Sequence, residues 1–189
     1  MDALRELVTI IVILEMVGQA LGVVAIGLGF ASYQARTQKK LLLLQTVTAF
    51  VFCVHYLLIG ATAGMALNVV NVIRNGVYFE RNRRGIRDKL IPSVFAIVIT
   101  VIGIWSAEAW YSVFALLAAL IHTYCIALSD PQKVRASILV TSPMMLIYDV
   151  FAGSFGGIVY ESVAVASSAI GLYRNRKKET KDTKGEDET

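Results

Sequence analysis

Three asparagine side chains recur at helical spacing inside one apolar stretch of the chain. Asn68, Asn71 and Asn75 occupy positions i, i+3 and i+7, so a helix would carry them on one face, with Gly64 one turn earlier. An amide offers a hydrogen-bond donor and an acceptor together, which suits a hydroxyl-rich or zwitterionic small molecule. The alternative is that the amides hydrogen-bond neighbouring helices. In either case we expect the stripe to face the interior of a helix bundle.

Ionisable side chains within apolar stretches are costly and are therefore candidates for function. Glu161 is the candidate for an acid that couples to protons or contacts a cation; the alternative is a structural partner for Arg74 or His55. Arg74 is expected either to reach the lipid headgroups or to pair with an inward-facing acid. Gln19 and Glu15, one turn apart in the first stretch, are expected to face the same cavity as Asn68.

A second group of candidates lies near the ends of the second and sixth stretches. His55 and the pair Tyr148-Asp149 are expected to line an outer vestibule, or to be wetted and inert at the interface. Pro143 interrupts the hydrogen bonding of the sixth stretch and is a candidate hinge. His122 is expected to be a hydrogen-bonded packing residue; the alternative is a group that titrates near neutral pH.

All of these residues lie within seven apolar stretches of the chain. Most of the stretches are about 17–25 residues long, which is enough for a helix to cross a hydrocarbon core of about 30 Å. The stretches cover residues 8–33, 41–60, 61–80, 90–106, 108–128, 134–152 and 154–174. Only helices and closed barrels satisfy their backbone in lipid, and continuous apolar runs exclude the alternating strands of a barrel. The predicted fold class is an all-α membrane protein with seven transmembrane helices.

The basic residues fall on one side of this pattern. Of the 18 Lys and Arg residues, all but Arg5 and Arg74 lie in the first, third and fifth connections or in the tail after Tyr173. Short loops rich in Lys and Arg stay in the cytoplasm, so the N-terminus is predicted outside and the C-terminus inside. The tail, residues 175–189, is charged and free of apolar residues, which predicts disorder.

Composition excludes several classes of function. With 56% hydrophobic residues the chain leaves no room for a soluble catalytic domain, and the net charge of +4 reflects membrane topology, so no nucleic-acid partner is expected. No phosphate-binding loop, nucleophile elbow or zinc-binding helix motif occurs, so we expect neither an enzyme nor a cofactor or metal site. Cys53 and Cys125 lie within apolar stretches and are expected to be packing residues.

The chain also contains an internal repeat. At a shift of 93 positions, residues 60–64 (Gly-Ala-Thr-Ala-Gly) align with residues 153–157 (Gly-Ser-Phe-Gly-Gly), and Glu161 aligns with Asn68. The first glycine of each segment is expected to close a helix in the left-handed conformation. The predicted units are residues 1–81 and 108–174, joined by a linker, residues 82–107, that contains the fourth helix. Such parallel repeats typically hold a solute near mid-membrane between the units.

Several short motifs in a fixed order carry a resemblance to a known family. They are Gly18-Gln19-Ala20 to Gly22, Ser32-Tyr33-Gln34, His55-Tyr56-Leu57-Leu58-Ile59-Gly60, Gly64, Asn71-Val72-Ile73-Arg74, and Ala152-Gly153-Ser154-Phe155-Gly156-Gly157 followed by Glu161. Over about residues 16–178 the chain resembles the bacterial inner-membrane YgjV family, within the SWEET and PQ-loop superfamily. The resemblance implies a 3+1+3 helical fold and a bacterial inner (plasma) membrane location, and it names no substrate.

One departure from that superfamily concerns its proline hinges. Transporting relatives carry Pro-Gln near the inner end of each repeat's first helix, where this chain has Tyr33-Gln34 and Ile126-Ala127. The leading hypothesis is a facilitator or secondary transporter, working by alternating access without ATP, for a small polar solute such as a sugar, nucleoside, amino acid or vitamin. The alternative is a non-transporting receptor or assembly partner. The expected surroundings are the lipid bilayer, with the chain a monomer or homodimer.

Overall fold

The apolar stretches of the sequence are helices in the structure. The computed structural model describes residues 2–86, 88–128 and 130–186, with side chains for residues 5–86, 88–128, 130 and 132–173. Within these residues there are seven helices: α1 (Asp2–Gln34), α2 (Gln38–Leu58), α3 (Thr62–Arg83), α4 (Leu90–Trp105), α5 (Ser112–Ala127), α6 (Pro131–Phe151) and α7 (Phe155–Glu186). Each helix coincides with one predicted stretch, so the all-helical class is confirmed.

Length and apolar composition qualify four of the described helices to cross a membrane, namely α1, α2, α6 and α7. Helices α4 and α5 have 16 residues each, or about 24 Å at 1.5 Å per residue, and are apolar but short. Helix α3 is long enough, but its asparagine stripe and Arg74 make it more polar. The chain is therefore an integral membrane protein, and the count of seven spans stays a prediction.

Six helices form a closed ring. Helix α2 packs against α1 and α3, helix α6 packs against α5 and α7, and the contacts of α3 with α5 and of α1 with α7 complete the circuit. Helix α4 lies outside the ring against α3 and α5. The outer face carries exposed large apolar side chains, such as Phe50, Ile73 and Val140, as expected where lipid surrounds the helices.

The turns between α2 and α3 and between α6 and α7 are built alike. Gly60 and Gly153 have φ angles of 76° and 68°. In both turns the N–H of the residue after the glycine donates to the carbonyl five residues earlier, at 2.9 Å. This is the Schellman motif, in which a left-handed glycine closes a helix. The predicted conformation is confirmed at both glycines.

Helices α2 and α6 also begin alike. The side chains of Thr37 and Asp130 accept hydrogen bonds from the backbone N–H groups of Lys40 and Gln132, at 3.4 and 2.9 Å. Thr37 and Asp130 are equivalent under the 93-residue shift. A polar N-cap that satisfies an orphan N–H is therefore used at the same place in both halves of the chain.

The end of the chain differs from the prediction. Helix α7 continues to Glu186, through most of the segment 175–189 for which disorder is expected. Lys, Arg and Glu are good helix formers, so the charged segment can extend the helix that precedes it. Residues 187–189, Arg87 and the side chains of the basic tail lie outside the described residues.

Helices α1 and α7 meet at two glycines. A Cβ atom on Gly22 would lie 2.6 Å from the Cα of Gly156, and a Cβ atom on Gly156 would lie 2.5 Å from the Cα of Gly22. Small residues that let two backbones touch are a principal source of helix association in lipid. This contact closes one side of the ring.

We expect Gly22→Ala to destabilise the folded protein by about 1–3 kcal/mol, the usual cost of overpacking. Gly27→Ala is the matched control in the same helix, because a Cβ on Gly27 meets nothing within 4 Å. Thermal unfolding of the two variants in detergent measures the difference. Equal unfolding temperatures would show that the α1–α7 contact is not tight.

Candidate functional site: a central polar cavity

A cavity of about 120 Å³ lies inside the ring. Every ring helix contributes to its lining, and α4 contributes none. Because one water molecule needs roughly 10–15 Å³ of cavity space, the cavity has room for on the order of ten waters or one small solute.

Part of the lining consists of repeat-equivalent pairs, with one member from each half of the chain. The pairs are Gln45 and Ile138, Thr48 and Thr141, Ala49 and Ser142, Phe52 and Met145, Leu67 and Tyr160, and Asn68 and Glu161. The members of each pair are separated by the same 93 positions as Tyr56 and Asp149. The cavity therefore lies between the two halves, where the repeat predicts a solute site.

The asparagine stripe faces this cavity, as predicted. Asn68, Asn71 and Asn75 all contribute to the lining. The Asn68 amide nitrogen donates to the Gly64 carbonyl at 2.8 Å, within its own helix. The Asn75 Oδ1 accepts from Arg74. The Asn71 Oδ1 is buried and has no hydrogen-bond partner among the described residues.

Two further lining residues carry a buried polar atom without a hydrogen-bond partner among the described residues. The Oε1 of Gln45 and the Oγ of Ser142 have no hydrogen-bond partner within the part of the chain that the structure describes. A buried polar atom without a partner costs about 1–3 kcal/mol. Three such atoms around one cavity indicate that water or a polar solute completes their hydrogen bonds.

Arg74 takes neither of the two placements expected for it. It is 1% exposed, so it does not reach the headgroups. Its Nη1 donates to the Thr123 Oγ1 at 2.7 Å, and its Nε and Nη2 donate to the Asn75 Oδ1 at 3.2 and 2.9 Å. Among the described side chains no carboxylate forms an ion pair with it. Helix α5 holds Arg74 at the cavity wall because Thr123 faces it across the α3–α5 contact.

Glu161 and His122 also line the cavity. Glu161, on α7, is 9% exposed and lies in the half of the molecule opposite Arg74. The His122 Nδ1 is 3.5 Å from the Ser137 Oγ, which is long for a hydrogen bond. His122 thus lines the cavity and keeps a long hydrogen bond to Ser137, in agreement with the hydrogen-bonded role expected for it.

We name the end of the ring that carries Gly60 and Gly153 the turn end. His55 does not line the vestibule predicted at this end, because it is fully buried. Its Nδ1 lies 2.7 Å from the Gly18 carbonyl oxygen and its Nε2 lies 2.7 Å from the Ser154 Oγ. The imidazole therefore ties α1 and α2 to the start of α7.

Tyr148 and Asp149 are buried at the turn end as well, which corrects the vestibule prediction for both. The Tyr148 hydroxyl accepts from the Gly64 N–H at 2.7 Å, and the Tyr56 hydroxyl donates to the Asp149 Oδ1 at 2.6 Å. Gly64 and Gly157 leave room for these contacts, because a Cβ at either position would collide with Tyr148 or Asp149 respectively. These bonds join the two halves and form the turn-end seal.

Glu15 and Gln19 do not share the cavity with Asn68, contrary to expectation. The Gln19 Nε2 donates to the Gly153 carbonyl at 3.0 Å and its Oε1 accepts from the Gly156 N–H at 3.3 Å, so its amide binds the α6–α7 turn. Glu15 lies one turn before Gln19 on α1 and is exposed. Pro143 is exposed on α6, which continues through it from Pro131 to Phe151.

We name the opposite end of the ring, which carries the basic loops, the basic end. Two arginines of this end are buried and bind backbone carbonyls, which the charge pattern alone does not predict. The Arg135 Nε and Nη2 donate to the Tyr33 and Ala35 carbonyls at 3.0 and 2.9 Å, at the end of α1. The Arg81 Nη1 donates to the Ala127 carbonyl at 3.0 Å, at the end of α5. Both guanidinium groups bind the last carbonyls of a helix, where cations are favoured.

Sequence reasoning missed several of these residues. The charge pattern indicates only membrane topology for Arg81 and Arg135, whereas both side chains are buried, at 7% and 6% exposed. The repeat could have identified Tyr56, because Tyr56 is the repeat equivalent of Asp149, which is one of the predicted candidates. For Gln45 and Ser142, the sequence shows only that they are polar residues in apolar helices.

We expect Tyr56→Phe to lower stability by about 1–3 kcal/mol, because it leaves a buried carboxylate oxygen of Asp149 without its donor. Tyr124→Phe is the control, since Tyr124 is 50% exposed and should tolerate the change. Thermal unfolding in detergent gives both values. A Tyr56→Phe protein as stable as the wild type would show that the turn-end seal contributes nothing.

Comparison with known proteins supports the membrane assignment. The family model Imp-YgjV, described as a bacterial inner membrane protein, matches residues 16–179. Curated proteins and solved structures give no match. The matched region includes the whole cavity lining, all of α2 to α6, and the parts of α1 and α7 that lie within residues 16–179. The chain therefore belongs to the Imp-YgjV family of bacterial inner membrane proteins.

Proposed function

We propose that this protein is a facilitator or secondary transporter for a small polar solute, working by alternating access without ATP. The observation that carries the proposal is the cavity inside the ring, with the unpartnered buried atoms of Asn71, Gln45 and Ser142 in its wall. A protein that kept the fold only for packing would gain stability by filling this space with apolar side chains.

The proposal includes a parallel 3+1+3 arrangement of the SWEET type. Residues 1–81 and 108–174 would form the two units, with α4 in the linker, residues 82–107. The matched Schellman turns, the matched N-caps and the paired cavity lining support this division. So does the ring itself, in which the α1–α7 and α3–α5 contacts are equivalent under the repeat.

Each lining residue would have a distinct role in this scheme. Asn71, Gln45 and Ser142 would hydrogen-bond the solute directly, because their polar atoms have no protein partner among the described residues. Asn68 and Asn75 would present their remaining amide groups. Glu161 would supply an acid from the opposite unit.

Alternating access needs a seal at each end of the cavity. The turn-end seal is the Tyr56–Asp149 and Gly64–Tyr148 hydrogen bonds. At the basic end, a buried apolar cluster and the Arg81 and Arg135 hydrogen bonds close the ring. The cluster residues are Ala35, Leu41, Leu42, Tyr78, Ile126 and Val134. Transport would break one seal at a time.

The second candidate is a non-transporting receptor or assembly partner, as a monomer or homodimer. It is favoured by the basic end, where the positions that carry hinge prolines in transporting relatives are Tyr33-Gln34 and Ile126-Ala127. Arginine side chains bind the carbonyls of Tyr33 and Ala127, which restrains the ends of α1 and α5. Solute flux into vesicles containing the purified protein discriminates between the two candidates.

We expect Asn71→Leu to preserve membrane insertion and unfolding temperature while abolishing stabilisation by any bound solute. Its Oδ1 has no partner to lose among the described residues, yet it contributes a polar atom to the cavity. The measurement is thermal unfolding against a panel of sugars, nucleosides, amino acids and vitamins, where a ligand at about 100 times its Kd adds roughly 2.7 kcal/mol. Val69→Leu on the outer face is the control, and loss of folding in Asn71→Leu would assign the residue to structure.

We also expect reporter fusions to follow the basic loops. Alkaline phosphatase fused after Glu108 should be active outside the cytoplasm, and the same enzyme fused after Arg84 should be inactive. Green fluorescent protein at the C-terminus should fluoresce, because the positive-inside rule places that end in the cytoplasm. Active phosphatase at Arg84 would overturn the proposed orientation.

A further inference from the structure

The cavity holds a positive charge that the described protein does not neutralise. Arg74 is 1% exposed, lines the cavity, and donates to two neutral oxygens, those of Thr123 and Asn75. The ion pairs among the described residues both involve Glu80 at the exposed end of α3, and neither includes Arg74. A guanidinium stays charged under all ordinary conditions, and burying it without an anion is strongly unfavourable.

The geometry leaves part of this guanidinium available. Its five N–H groups make three hydrogen bonds with Asn75 and Thr123, so one N–H on each terminal nitrogen remains. Asn71, one turn earlier on α3, adds an amide to the same wall. Two N–H groups on a planar fork match the two oxygens of a carboxylate.

Glu161, the acid in the cavity lining, does not neutralise the charge of Arg74. Glu161 is the carboxylate among the lining residues, but it is on α7, in the other half of the ring, and it forms no ion pair with Arg74. A solute that brings its own negative charge removes the imbalance. A single guanidinium compensates one charge, which favours a carboxylate over a phosphate dianion.

We propose that the solute carries a carboxylate, and that Arg74 binds this group at the wall formed by α3 and α5. The inference rests on the proposed function and names the substrate class for the same cavity. A carboxylate solute differs from a neutral sugar or nucleoside, which the asparagine amides could bind without Arg74. The cavity volume of about 120 Å³ restricts the solute to a small acid, such as an amino acid or a hydroxy acid.

The test compares acids with their own amides. Thermal unfolding of the purified full-length protein is followed with L-alanine, L-lactate and succinate, each beside its carboxamide, and with glucose, uridine and inorganic phosphate. We expect at least one acid to raise the unfolding temperature and its amide to have no effect. Stabilisation by glucose, uridine or phosphate without any acid would overturn the carboxylate assignment and leave the proposed solute site standing. No response to any compound would count against both proposals.

Variants then locate the binding group. Arg74→Gln should raise the Kd of the stabilising acid by about 10- to 100-fold, as expected for the loss of a charged hydrogen-bond donor. Arg74→Lys keeps the charge without the fork and should weaken binding less, which preserves the test if Arg74→Gln fails to fold. Arg83→Gln is the matched control, because Arg83 is on the same helix with its side chain 69% exposed. Unchanged affinity in folded Arg74→Gln and Arg74→Lys would overturn the assignment.

Discussion

Hydrocarbon offers no hydrogen bonds, and this constraint organises the molecule. Polar side chains within an apolar helix are therefore favoured in the protein interior, and the asparagines of α3, Gln45 of α2 and Glu161 of α7 all face inward. Six helices can surround such a polar interior only if the ring closes, and the Gly22–Gly156 contact brings α1 and α7 close enough to close it. The ring encloses polar groups whose hydrogen bonds are not all completed by helix packing. This leaves the cavity with unpartnered polar atoms and with the charge of Arg74.

The repeat explains where the cavity lies, and the differences between the repeats explain its chemistry. Thr48 and Thr141 are identical and repeat-equivalent, and they line opposite walls. Elsewhere the halves diverge: Asn68 is matched by Glu161, and Arg74 by Ser167, which is buried. One half therefore contributes a cation and the other an acid. The cavity thus has a guanidinium on one wall and a carboxyl group on the other, too far apart to form an ion pair.

Much of the fold was readable from the sequence because its determinants are local. Continuous apolar runs gave the seven helices, and the paired glycines at 60 and 153 gave both turns. Contacts between the halves were not readable. His55, Tyr148 and Asp149 looked like vestibule residues because they lie near helix ends, but partners from other helices bury them. Gln19 binds the α6–α7 turn, which depends on the α1–α7 contact, and the roles of Arg81 and Arg135 depend on which helix end lies beside them.

The functional proposal requires that the cavity inside the ring holds water and is open to polar solutes. It is tested most directly by replacing Cys53 and Cys125 with alanine, introducing Asn71→Cys, and measuring reaction with a small charged thiol reagent in membranes, since a thiol reacts as the hydrated thiolate. Val69→Cys, whose side chain lies on the outer face of the same helix, is the comparison. We expect the cysteine at position 71 to be labelled and the one at position 69 to be protected by lipid. Labelling at 69 with none at 71 would contradict the proposal.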